Sequence, residues 1–288
     1  MVFVLSHRGL EPSNPNFLTE GTVDAFESHL SRGFGIEFDV NFTLDKIPII
    51  FHDSNLKRIT NGQDNSRVED VPFLKLKKIS KGIPSLENIL FLLKKYSPKI
   101  GAMHIRGSHQ KEENLKCLIK IIERSCIDLS SLILFDLIPK SAKYLKSLNT
   151  EVVTAASVAH PFDIKRYSKF VNNTLISIDD VVRFYEIYDW VWLDEWDTLD
   201  ENGNDKKFYT RENFDRLRSA GYNISLVTPE LHRTSPSLYG GESHEHAKDL
   251  ETLFNRISEI ISLEPDAICT DYPEEVRKLV ISRRIKVK

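Results

Sequence analysis

Short apolar runs alternating with longer amphipathic ones predict an α/β fold, a TIM-type (β/α)8 barrel with an extra β-hairpin arm after the second strand. Three observations carry this reading. Eight strand-like runs lie at residues 2–6, 35–40, 101–105, 132–135, 152–156, 190–193, 224–227 and 267–269, with helical patterns at 112–124, 140–148, 211–220 and 248–263 between several of them. A further run, 47–51, follows the second strand after a link too short for the dozen or more residues that a parallel crossover needs, so these two must form an antiparallel hairpin. Residues able to do chemistry also collect at strand ends, and the carboxyl ends of barrel strands hold active sites.

Taken in order, residues 2–6 read as a buried strand, and a polar, Pro- and Asn-rich loop at 10–21 leads to a helix at 22–32. Thr22 can cap that helix, Asp24 suits its positive end, Phe26 and Leu30 share a face, and Gly33 can stop it. The strand at 35–40 then rises, turns near Asp45 and Lys46, and returns through 47–51. This brings His52 back towards the end of its own hairpin, so Glu37, Asp39 and His52 can converge. After an irregular stretch, Ser85 is placed to cap an apolar helix at 86–96. Strands and helices alternate from there to Tyr272 and Pro273, which open the last helix. Connections at 157–163, 197–210 and 229–246 are long and lie on the rim of the mouth, where specificity usually resides. No linker, repeat or low-complexity tract interrupts the 288 residues, so a single domain over 1–288 is expected.

Composition narrows the function classes. A formal net charge of −3, with scattered lysines, supplies no long-range attraction to nucleic acid or to an anionic membrane. Cys117, Cys126 and Cys269 lie far apart and form no CxxC motif, as in a reduced compartment. No apolar run is long enough to span a bilayer, and the first residues lack the pattern of a secretory leader. The expectation is a cytoplasmic protein with a small-molecule partner, no nucleic acid and no stable membrane association; the oligomeric state stays open.

The chemistry-bearing residues sit in four places: Ser6 to Gly9, Glu37 to Val40, Phe51 to Asp53, and Thr270 to Pro273. Residues two apart on a strand face the same way, so Glu37 and Asp39 present two hard oxygen ligands to one side, as Mg²⁺ or Ca²⁺ requires. His7 and His52 supply an acid and a base that titrate near neutrality. Arg8 offers a bidentate donor for a phosphate. Each residue also has a plain reading. A lone carboxylate at a strand end usually makes a salt bridge, and a lone histidine a local hydrogen bond. Asp53 reads as a turn or cap residue, and Asp271 as binding local backbone or orienting a neighbour. Their joint position at the ends of neighbouring strands favours a site. His232, His244 and His246 look metal-like by composition but lack tight ligand spacing, and read as ordinary loop residues.

These motifs resemble those of the glycerophosphodiester phosphodiesterases. His7-Arg8-Gly9, the Glu-x-Asp-Val-x-x-Thr-x-Asp run from Glu37 to Asp45, and the His-Asp-x-x-Leu-x-Arg-x-Thr run from His52 to Thr60 carry the resemblance, with Ile83 to Leu90 and Asp266 to Pro273 extending it. It is dense over the first ninety residues and the last twenty-five and thin between. It implies a TIM-barrel hydrolase that cuts a phosphodiester to an alcohol and sn-glycerol 3-phosphate. By motif position, it implies His7 and His52 as the acid/base pair, Glu37 and Asp39 as metal ligands, and Arg8 as a phosphate contact. Glu20 stands as an orienting residue behind them. The family's inserted cap looks reduced here to a short segment at 62–81.

The chain departs from the pattern in its third barrel strand. The family's Glu-x-Lys is replaced by His104 and Arg106. His104 either ligates the metal, which would suit Mn²⁺ or Zn²⁺ better than Ca²⁺, or only hydrogen-bonds nearby. Arg106 can serve as a second phosphate cation. Val227 to Glu230 replaces another family strand, and the acid- and aromatic-rich run from Trp192 to Trp196 either selects a substrate head group or forms an aromatic pair with two solvated acids. The residues therefore predict a metal-dependent phosphodiesterase. A lysophospholipase D- or sphingomyelinase D-like enzyme and a non-catalytic phosphodiester-binding barrel are the alternatives.

Overall fold

Among the described residues short apolar runs build nine strands: β1 (Phe3–His7), β2 (Gly35–Phe42), β3 (Pro48–Ile50), β4 (Gly101–His104), β5 (Leu132–Phe135), β6 (Val153–Ala159), β7 (Trp190–Asp194), β8 (Asn223–Val227) and β9 (Ala267–Thr270). The structure, a computed structural model, describes residues 2–16, 18–196, 198–200, 202–231 and 244–286. Strand order is β1-β9-β8-β7-β6-β5-β4-β2, and β1 pairs with β2 to close an eight-stranded parallel barrel. β3 lies antiparallel to β2, with Val40 opposite Ile50 and Phe42 opposite Pro48. The barrel and its hairpin arm therefore match the fold class read from the sequence.

Helices alternate with the strands: α1 (Val23–Ser31), α2 (Phe73–Ile79), α3 (Leu86–Tyr96), α4 (Glu112–Ser125), α5 (Pro139–Leu148), α6 (Pro161–Tyr167), α7 (Ile178–Val181), α8 (Arg211–Ser219), α9 (Leu250–Ser262) and α10 (Pro273–Lys286). Local chemistry starts them. The Thr22 hydroxyl accepts from the Ala25 amide, Ser85 and Asn88 form a capping box, and Thr210 and Asp249 cap α8 and α9.

Three helices were not legible as such. The connection expected at 157–163 is nearly absent, because β6 continues to Ala159 and His160 then caps α6, with Pro161 in its first turn. α7 spans a single turn, too short to show a period. α2 falls in the segment read as irregular; it buries only Leu76 and is otherwise rich in lysine. The connections at 197–210 and 229–246 lie partly, and His232 wholly, outside the described residues.

The core divides into layers. Leu5, Ala102, Ile133, Trp192 and Cys269 fill the barrel interior, and a larger cluster that includes Phe26, Phe38, Leu90, Phe214 and Ile257 packs helices against the outer wall. A separate small core of Ile49, Phe51, Leu56, Val68, Val71, Leu76 and Ile83 unites the hairpin with α2. This cap core carries the segment that holds His52. Among the described residues no helix is long and apolar enough to cross a membrane.

Candidate active site

Strand register places the first chemical pairs. β1 and β2 align His7 with Glu37, and β2 and β4 align Asp39 with His104. Side chains at paired positions of parallel strands project to the same side, so the two carboxylates of β2 each gain an imidazole neighbour. β2 enters this crowded wall through Gly35, where a Cβ would lie 2.4 Å from the Ile100 carbonyl oxygen. Beyond β1 the chain turns at once, with Arg8 at φ 53° and Gly9 at φ 73°. Only glycine fits the second of these positions, because a Cβ there would meet the Ala25 Cβ at 2.9 Å. The Arg8 amide donates to the Glu37 carbonyl at 3.1 Å, and its buried guanidinium lies 3.1 Å from Asp39 Oδ2.

The hairpin returns His52 to the same place. The Phe51 amide donates to the Asp39 carbonyl at 3.0 Å, and Asn41 Nδ2 donates to the Asp53 carbonyl at 3.0 Å. Asp53 is more than the turn residue expected: its Oδ1 lies 2.9 Å from His52 Nδ1, and its Oδ2 accepts from Arg58 Nε at 2.7 Å. On the opposite wall, Asp271 Oδ1 lies 2.8 Å from His7 Nδ1, in the orienting role that was one of its two readings. Asp271 is held in turn, because the buried Glu230 carboxylate accepts from the Asp271 amide at 3.0 Å and from Thr270 Oγ1 at 2.7 Å. Both catalytic candidates thus have Nδ1 fixed against a carboxylate.

Seven of the predicted residues, His7, Arg8, Glu37, Asp39, His52, His104 and Arg106, meet here, with Arg106 Nη2 3.5 Å from Asp39 Oδ1. Glu20 stands outside this group. Its carboxylate pairs with Arg58, and it lines a cavity of about 100 Å³ together with Arg8, Asp39, His52 and Phe26.

Electrostatics distinguish the groups. Burial and the neighbouring Asp39 charge push Glu37 up to about 7. Asp39 is as deeply buried, yet His52, Arg8, His104 and Arg106 hold it well below the usual carboxylate range. Burial, reinforced by the Arg8 charge, pushes His52 down to about 3, so its imidazole is neutral. Burial works against charge on His104, but hydrogen bonds to Asp136 and Asp39 push it up to about 9.

The donor set suits a divalent cation. Glu37, Asp39 and His104 bring ligand atoms within 4.8 Å of one another. Glu37 Oε2 is buried without a hydrogen bond, its nearest ionic neighbour being His7 Nε2 at 4.0 Å. A buried carboxylate oxygen left in this state is a fitting ligand for a cation.

Sequence reasoning matched Phe135-Asp136 to the family's Ser-Phe-Asp strand but gave Asp136, whose Oδ2 lies 3.3 Å from His104 Nε2, no role at His104, and gave Asp53 none at His52. The available signal was position: each acid follows directly on an aromatic or imidazole residue at a strand or hairpin end. The run from Trp192 to Trp196 departs from the reading of an aromatic pair with two solvated acids. Trp192 stacks on Phe135 at 4.0 Å, Trp196 stacks on Tyr167 at 4.5 Å, and Glu195 is buried and fully bonded rather than solvated. His244 is buried as well, and its ring caps the turn that contains His246.

A profile of the glycerophosphoryl diester phosphodiesterase family matches residues 7–275. Glycerophosphodiester phosphodiesterase 1 of Homo sapiens is 22% identical over 212 residues, which make up 66% of this chain and 61% of that protein. The chain spans between 22% and 61% of the lengths of the curated relatives it matches. A glycerophosphoryl diester phosphodiesterase structure from Parabacteroides distasonis superimposes with a TM-score of 0.66 at 19% identity, covering 98% of this chain and 87% of that one. A phosphodiesterase structure from Oleispira antarctica, in complex with the product sn-glycerol-3-phosphate, has a TM-score of 0.64 at 16% identity and covers 96% of each chain. At these identities the two structures share the barrel.

Proposed function

The chain belongs to the glycerophosphoryl diester phosphodiesterase family, and on that premise we propose that it hydrolyses glycerophosphodiesters to an alcohol and sn-glycerol 3-phosphate. The observation that carries the proposal is the pair of anchored imidazoles. His7 and His52 each have Nδ1 against a carboxylate, at 2.8 and 2.9 Å, which leaves Nε2 of each for proton transfer beside a carboxylate pair and two arginines.

Glu37, Asp39 and His104 would hold a divalent cation, which when bound supplies Lewis-acid neutralisation of the phosphate charge. Arg8 and Arg106 bind the non-bridging phosphate oxygens as charge-assisted donors. His52, kept neutral by burial and by Arg8, is the base and takes the proton of the attacking hydroxyl at Nε2. The bond from phosphorus to the alcohol oxygen breaks, and His7 donates the proton that the leaving alkoxide requires. Asp53 and Asp271 hold the two rings in the tautomer these roles need. The Oleispira neighbour with bound sn-glycerol-3-phosphate supports the product assignment. We treat residues 1–288 as one catalytic domain that acts on a small phosphodiester in the cytoplasm.

The test is release of glycerol 3-phosphate from a panel of glycerophosphodiesters, after chelation and with Mg²⁺, Ca²⁺, Mn²⁺ or Zn²⁺ restored, beside His52→Ala. Turnover that needs a metal and His52 supports the assignment. Tight binding of a glycerophosphodiester without turnover in any metal would instead identify a binding barrel. Phosphorus NMR of the products separates attack by water from attack by a neighbouring substrate hydroxyl, which leaves a cyclic phosphate.

A further inference from the structure

We propose that Asp136 is a positioning residue for the cation site, accepting the Nε2–H of His104 so that Nδ1 becomes the ligand nitrogen beside Glu37 and Asp39. The inference rests on the reading of Glu37, Asp39 and His104 as cation ligands and adds the device that makes a histidine serviceable there.

Both nitrogens of His104 face carboxylates: Nδ1 lies 2.8 Å from Asp39 Oδ1, and Nε2 lies 3.3 Å from Asp136 Oδ2. A nitrogen that coordinates a cation cannot carry a proton, so one nitrogen must ligate and the other donate. The ligand cluster decides between them. It contains Glu37, Asp39 and His104, so the nitrogen turned to Asp39 ligates and the one turned to Asp136 keeps its hydrogen.

Two further features fix this arrangement. The His104 ring stacks on Phe135 at 4.8 Å and 15°, and Phe135 stacks on Trp192 at 4.0 Å and 14°. This three-ring stack, drawn from β4, β5 and β7, holds the plane of the imidazole but not which nitrogen points where. Asp136 supplies that missing choice, and its own backbone is held in place. It sits directly after β5 at φ 66°, a left-handed conformation that aspartate tolerates better than most side chains. The Gln110 amide clamps it there: Nε2 donates to the Asp136 carbonyl at 2.6 Å and to the Ile105 carbonyl at 2.8 Å, while Oε1 accepts from the Ile138 amide at 3.0 Å. Gln110 thus ties the end of β4 to the end of β5, and with them His104 to its acceptor. Two carboxylates and one oriented imidazole form a ligand set better matched to Zn²⁺ or Mn²⁺ than to Ca²⁺.

The experiment is calorimetric titration of Zn²⁺ into the metal-free full chain for four proteins: wild type, Asp136→Asn, His104→Ala and the double variant. Asparagine accepts the left-handed backbone, and a thermal melt checks that each variant is folded. Loss of an orienting carboxylate should weaken Zn²⁺ binding about 10–100-fold, and no further loss should follow once His104 is alanine. Nitrogen-15 NMR of the Zn²⁺-loaded wild type should show His104 protonated at Nε2. Equal loss from Asp136→Asn with and without His104 would make Asp136 a ligand in its own right and overturn the proposal, as would unchanged affinity or coordination through Nε2. In those cases metal-dependent phosphodiester hydrolysis by the wild type would stand. A wild type that neither binds Zn²⁺ nor hydrolyses glycerophosphodiesters would remove the cation site and this inference with it.

Discussion

Two sides of the barrel mouth bury carboxylates, and they finish them differently. At the ends of β1, β2 and β4, Glu37 and Asp39 are 3% exposed, and Glu37 Oε2 has no hydrogen bond. Just past β7, Glu195 is 2% exposed, but Oε2 accepts from the Phe208 and Tyr209 amides at 2.9 and 3.1 Å and Oε1 accepts from Arg256 at 2.7 Å. Nearby, Lys206 and Asp163 form a buried ion pair between the chain after β7 and α6. Burial of a charged group therefore does not mark a site. Glu195, with both oxygens satisfied, stitches loops together, whereas Glu37, short of partners beside the like charge of Asp39, is suited to a ligand.

Substitutions can break the comparison, the largest effects coming first. Removing either anchored imidazole, His7→Ala or His52→Ala, should slow glycerol 3-phosphate release by about 10²–10⁴-fold while the thermal midpoint stays near wild type. On the other side, Lys206→Met should act the opposite way. It removes the cation of a buried ion pair and should cost about 3–5 kcal/mol in urea unfolding, with turnover per folded molecule unchanged.

Glu37→Gln tests the comparison at its centre. In the metal-free chain Glu37 titrates at about 7, above the ordinary 4.5, so the folded state holds a proton that the unfolded state has already lost. Stability then falls as pH rises from about 4.5 to about 7. Replacing Glu37 by glutamine should remove that fall, a gain of about 3 kcal/mol above pH 7 and none below pH 4, while abolishing metal binding. A variant that loses stability at pH 8 would count Glu37 among the structural acids. Glu195→Gln should be the mildest, with about 1 kcal/mol lost and activity retained, because the neutral side chain keeps part of the same bonding. A large activity loss there would move β7 into the site.

Much of this was readable beforehand, and the reasons are local. Strand positions followed from apolar runs, and the β2–β3 hairpin from a link too short for any other connection. Glu37 and Asp39 followed from their two-residue spacing, His7, Arg8 and His52 from their place at strand ends, and Glu20, His104 and Arg106 from the family resemblance. What could not be read depended on distant partners. His7 and Asp271 are 264 positions apart, and no local pattern reports their 2.8 Å contact. Nothing in the sequence separates Glu195, which is bonded on every side, from Glu37, which is not. The short α6 and α7 escaped because one or two turns carry too few residues to display a period.

By itself, then, the sequence determined the alternation that makes a barrel, the hairpin that returns His52, and the kinds of side chain available at the mouth. Spacing along one chain is sufficient for all of these. Only the tertiary structure decided which acid meets which base. It set Asp271 against His7 and Asp136 against His104, and left Glu37 short of a partner. Those pairings depend on β1 lying beside β9 and β4 beside β5, a strand register that brings residues into contact without regard to their distance along the chain.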